Sequence, residues 1–75
     1  MLKYKDDSGK EINNFYSDNY SGDEGIIYYK NKKVGTWNTA HDSELGSYIL
    51  KVVNGQEFHD HYFTEKEIIK KAKLK

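Results

Sequence analysis

The stretch Tyr48-Ile49-Leu50-Lys51-Val52-Val53, then Asn54-Gly55, then Gln56 to Tyr62, then Phe63-Thr64-Glu65-Lys66-Glu67-Ile68 decides the fold. It predicts a β-hairpin running directly into a helix. Thr64 and Glu67 have the spacing of a capping box, in which each side chain satisfies an orphan amide at the helix start, and Phe63 and Ile68 stand where a hydrophobic staple would form. The helix is expected over about residues 65–74, with Ile68, Ile69 and Ala72 as a narrow apolar stripe among lysines. So short a helix is unstable alone, so the stripe must pack on the sheet.

Two registers compete in the hairpin before it. A two-residue Asn54-Gly55 turn sets Lys51 against Phe58 and Leu50 against His59, mixing polar and apolar groups on both faces. A three-residue Val53-Asn54-Gly55 loop pairs Lys51 with Glu57 and Leu50 with Phe58. Charge and hydrophobic matching favour the second, which predicts a core face of Tyr48, Leu50, Val52, Phe58 and Tyr62.

Upstream, Leu2 to Asp6 and Lys10 to Phe15 predict a hairpin around Asp7-Ser8-Gly9, with Tyr4 facing Ile12 and Lys5 facing Glu11. Ser17 to Gly25 is made of turn residues without periodicity and predicts a mobile loop. Ile26-Ile27-Tyr28-Tyr29 and Val34-Gly35-Thr36-Trp37 predict another hairpin with Lys30-Asn31-Lys32-Lys33 at its tip. Gly35 there should underlie a cross-strand tyrosine or mark a bulge. Thr39 to Gly46 is compatible with a single helical turn capped by Thr39. The expected class is α+β: a small curved antiparallel sheet or partly closed barrel of about three hairpins, with one C-terminal helix packed on it, in one domain over residues 1–75.

Composition narrows the function. There is no cysteine and no proline among the 75 residues, so disulfides and thiolate metal sites are excluded. Neither a membrane-length apolar run nor a signal-peptide core is present, which predicts a cytoplasmic protein without membrane association. Net charge is zero and arginine is absent, unlike a dedicated duplex-binding domain. The charge is nevertheless laid out in blocks, net −3 over residues 1–24, +3 over 25–39, −4 over 40–65 and +4 over 66–75. Neighbouring blocks of opposite sign are expected to attract one another on folding.

Residue types that carry chemistry are present without convincing patterns. His59 and His61, with Glu57 on the same expected face and His41 nearby, resemble part of a zinc site but lack a firm third ligand. His41-Asp42-Ser43 has the residue types of a hydrolytic triad without a nucleophile elbow. Asp18, Asp23 and Glu24 fail the calcium-loop spacing. No phosphate-binding glycine pattern occurs. The expectation is therefore no enzyme, no metal and no cofactor.

The second hairpin stands out. Adjacent Ile26-Ile27 and Tyr28-Tyr29 put apolar groups on both faces, so one face is core and the other exposes aromatics beside lysines, unless helix and loops cover both. In its overall tenor, short and rich in Lys, Asn, Tyr and Asp, the chain resembles the small accessory proteins of AT-rich bacteria and their phages. The reading that follows is a protein-binding module, of the kind by which a phage or mobile element modulates or inhibits a host protein. Tyr28, Tyr29 and Trp37 would be its anchors and Lys30, Lys32 and Lys33 its rim. An edge strand offers a route to a homodimer or to a partner's sheet. The alternative is a single-stranded nucleic-acid binder on a barrel-like sheet, using the same hairpin and the lysines of the last helix.

Overall fold

The computed structural model describes all 75 residues. It contains strands β1 (Leu2–Lys5), β2 (Glu11–Ile12), β3 (Glu24–Tyr29), β4 (Lys32–Asp42), β5 (Gly46–Val53) and β6 (Gln56–His59), and one helix, α1 (Glu65–Lys71). All the strands form one antiparallel sheet in the order β2-β1-β3-β4-β5-β6. The edge strands β2 and β6 are not paired, so of the two expected forms the sheet is the one observed, and it is not closed. No helix is long and apolar enough to cross a membrane.

The first hairpin has the expected register, Tyr4 opposite Ile12 and Lys5 opposite Glu11, with Gly9 at φ +88°. Its turn is held by Asp6, a buried carboxylate that accepts from Ser8 N, Ser8 Oγ, Lys10 N and, across the molecule, Ser21 N. These donors, Ser21 first, hold its pKa down at about 2 against the opposing effect of desolvation. The sign follows from linkage: a depressed folded pKa contributes stability above the ordinary carboxylate range, and that contribution is lost as pH falls toward 2. Acid titration of Asp6→Asn, followed by circular dichroism, should show a shallower loss of stability between about pH 4 and pH 2 than wild type, from a lower starting stability.

The second hairpin turns through Lys30 and Asn31, at φ 51° and 65°, the double left-handed geometry of a two-residue type I′ turn. Lys32 and Lys33 therefore already belong to β4 rather than to the tip. Val34 is the extra residue of a bulge, since Ile27 faces Gly35 while Tyr28 faces Lys33. Glu24 and Gly25 are likewise strand, not loop. The expected helical turn over 39–46 is absent, because β4 runs on to Asp42 and β5 starts at Gly46. The short connection is organised by the Asp42 carboxylate, which accepts from Glu44 N and Leu45 N.

The third hairpin takes the register that charge matching disfavoured. Asn54 (φ 50°) and Gly55 (φ 80°) form a two-residue turn, setting Val53 opposite Gln56, Lys51 opposite Phe58 and Leu50 opposite His59. Turn chemistry thus prevails over side-chain matching. Of the expected core face only Phe58 is buried; Tyr62 is exposed, and Tyr48, Leu50 and Val52 turn to the opposite side from Ile49 and Val53. The cost of this register is Lys51 on the core face. Its ammonium lies 4.7 Å from the Tyr4 ring centroid and 5.9 Å from that of Phe15, so the stem packs while the charge faces aromatic surface. Burial still pushes its pKa down, opposed by Asp60 and Glu65.

Cross-strand rows define the core. One runs Ile12, Tyr4, Ile27, Gly35, Val53, and the next Gly25, Trp37, Lys51, Phe58. Helix α1 adds Ile68 and Ala72 to the same cluster. The capping box is formed, with Glu67 N donating to Thr64 Oγ1 at 3.2 Å and Thr64 N donating to Glu67 Oε1 at 3.0 Å. Thr64→Ala should lower stability by about 1 kcal/mol, read as a shift in the urea midpoint. The helix ends in a Schellman motif at Lys73 (φ 57°): Leu74 N donates to Ile69 O and Lys73 N to Lys70 O, with Leu74 and Ile69 against the core.

The segment joining β2 to β3 also crosses this face. Phe15 meets Tyr4 and Trp37 edge-on at 5.0 and 4.8 Å, and Tyr20 meets Trp37 at 5.4 Å. The Tyr16 hydroxyl donates to Asp60, whose other oxygen accepts from Ile49 N. Helix and loop thus cover the same side of the sheet.

Candidate interaction surface

The other face of the sheet has no covering layer. Its rows run Lys3, Tyr28, Lys33; then Lys5, Ile26, Thr36, Val52, Glu57; then Asn38, Leu50, His59; then Ala40, Tyr48. Ile26, Tyr28, Tyr48, Leu50 and Val52 are each partly exposed. Tyr28 carries the Lys5 ammonium 5.1 Å from its ring centroid. Beside it, Ile26 and Tyr28 floor a hollow of about 530 Å³ walled by the first hairpin turn. Lys3, Lys5 and Lys33 border this end of the strip together with Glu11, Asp7 and Glu24, and Glu57 and Asp42 border the other.

The six residues expected to form one contact surface separate. Tyr28 and Lys33 lie on the open face. Tyr29 points to the opposite side, partly buried against the core, and is grouped with Lys30 and Lys32. Trp37 must be withdrawn as an anchor: it is 0 % exposed, donates from Nε1 to Lys5 O at 2.9 Å and lies over Gly25. No partner reaches a side chain so enclosed. Ile26, Tyr48, Leu50 and Val52 take its place on the open face, and the Asn54-Gly55 dipeptide, a strong type I′ signal, was the sequence feature that marked this register.

The remaining chemistry-bearing residues do not assemble. His59 stacks on Tyr48 with centroids 3.6 Å apart, and its Nδ1 accepts from His61 N at 3.1 Å. A neutral His59 thus carries its proton on Nε2, 4.0 Å from Asp42 Oδ2. The His59 and His61 rings are 5.3 Å apart, and no group of three or more metal-ligating side chains exists. His41 and Asp42 are neighbours in β4 and project to opposite faces, so they form no triad with Ser43. Asp18 accepts from Asn13 N and Asn14 N, which lowers its pKa and ties its carboxylate to the loop.

Comparison with protein-family models, curated proteins and solved structures gave no match for this chain.

Proposed function

We propose that the protein is a non-enzymatic protein-binding module whose contact surface is the open face of the sheet. One observation carries this reading: α1 and the loop before β3 both cover the same side, leaving the apolar strip of Ile26, Tyr28, Val52 and Leu50 without a helix or loop over it, with His59 stacked on Tyr48 at its far end. A patch of this kind with aromatic members and a charged rim is what protein interfaces use. The mixed charges around it, Lys3, Lys5 and Lys33 beside Glu11 and Glu24, fit a partner whose apolar spot has a rim of both signs. The compositional likeness to phage and mobile-element accessory proteins supports a cytoplasmic host protein, modulated or inhibited by this chain, as the partner. Edge pairing through β6, four residues long, supports a homodimer less than the open face supports a partner. Stacking of single-stranded nucleic acid is the weaker reading, because Trp37 is enclosed and the sheet is open.

The test is capture from a bacterial lysate with wild type and a Tyr28→Ala, Leu50→Ala double variant. Wild type should retain one discrete protein through a high-salt wash, and the variant should lose it while keeping a wild-type circular dichroism spectrum. Capture of nucleic acid that salt releases, or equal capture by both proteins, would overturn the reading.

A further inference from the structure

The two basic blocks of the sequence, expected to attract the acidic blocks beside them, instead meet each other. Lys30 from the β3–β4 turn, Lys32 from the start of β4 and Lys73 and Lys75 from beyond α1 line one cavity of about 350 Å³, with Tyr29, Val34 and Leu74 as its apolar part. No aspartate or glutamate side chain lines it. The charged contact within 4.0 Å in this protein is His59 with Asp42, so none of these four lysines is ion-paired. Nor are they offset by the helix end: Lys71 O accepts from Gln56 Nε2, Ala72 O from Asn54 Nδ2, and Lys70 O and Ile69 O from the Schellman amides. Four lysines around one opening raise the local positive potential and favour a bound anion there.

Backbone conformation singles out the same place. The non-glycine residues at positive φ are Lys30, Asn31, Asn54 and Lys73, and three of them line this cavity. Glycine is the least strained choice at a type I′ turn and at a Schellman end, so lysine at both positions sets local strain against retained charge. The Lys30 ammonium rests 5.4 Å from the ring centroid of Tyr29, which also lines the cavity.

We propose that this cavity binds a ligand carrying two or more adjacent phosphate groups. Dense negative charge matches four point-like ammonium groups, whereas an isolated carboxylate is better matched by the planar fork of arginine, which the chain lacks. The cavity is short, at the small end of ligand sites, which favours a free polyphosphate over a tracked nucleic-acid backbone.

The experiment is NMR titration of the intact protein with tripolyphosphate, with sulfate at matched ionic strength and with oligothymidylate lacking terminal phosphate. Tripolyphosphate should shift the amides of Lys30, Asn54 and Lys73 saturably, far more tightly than sulfate. A Lys30→Gly, Lys73→Gly variant relieves the strained backbone, so it should melt no lower than wild type yet bind roughly tenfold or more weakly. Oligothymidylate displaced by tripolyphosphate would confirm the shared phosphate chemistry. Shifts spread equally over Lys3, Lys66 and Lys70, sulfate binding as well as tripolyphosphate, unchanged affinity in the variant, or oligothymidylate that tripolyphosphate fails to displace would each overturn it.

Discussion

Trp37→Ala is expected to lower stability by about 3 to 5 kcal/mol, enough to leave so small a domain largely unfolded at room temperature. The indole is wholly enclosed, with Phe15 and Tyr20 edge-on at 4.8 and 5.4 Å and its N–H on Lys5 O at 2.9 Å. Truncation removes the floor on which the loop before β3 rests, so loop and sheet should lose structure together. Trp37→Phe, which keeps a ring but leaves the Lys5 carbonyl without its donor, should lose less, about 1 to 3 kcal/mol. Urea denaturation followed by circular dichroism reads both. A Trp37→Ala protein with a wild-type midpoint would show that this side chain is not in the core, and the choice of exposed face would fall with it.

Gly35→Ala should be almost as damaging, for a different reason. A Cβ at Gly35 would overlap the carbonyl oxygen of Val52, which belongs to the β5 backbone and has no rotamer by which to move away. Gly35 faces Ile27 on one side and Val53 on the other, so the overlap falls in the middle of the sheet. A loss of about 3 kcal/mol or more is expected. Gly55→Ala is the control. Alanine at position 55 would be strained by the φ of +80°, but its Cβ would meet nothing within 4 Å, so the loss should stay near 1 kcal/mol. Equal losses at the two positions would sink the account of β4 lying hard against β5.

Local signals in this chain were reliable where a few neighbouring residues decided the outcome. Thr64 and Glu67 form the expected box, and Gly9 forms the expected loop with Tyr4 opposite Ile12. The third hairpin shows the limit. Matching Lys51 with Glu57 was a sound local argument, but the left-handed geometry of Asn54-Gly55 set the register, and the aromatic surface of Tyr4 and Phe15 made Lys51 tolerable on the core face. Those rings come from the other end of the chain, out of reach of any pattern within the hairpin. The same one-residue change exchanged Leu50 and Val52 for Ile49 and Val53 in the core, and so decided which side chains remain on the open face. Trp37 was misplaced for a related reason: its residue type signals an anchor as readily as a core, and only the arrival of Phe15 and Tyr20 enclosed it.

By itself the sequence determined the class, a small antiparallel sheet with a capped C-terminal helix, together with the first hairpin and the identity of the aromatic residues available for packing. These depend on backbone preferences and short-range hydrogen bonds, which are written in consecutive residues. Tertiary structure alone decided the strand order, the single covered face and the meeting of Lys30 and Lys32 with Lys73 and Lys75. Each of these depends on which distant segments share a side of the sheet, a choice made by burial of the whole apolar set at once rather than by any local stretch.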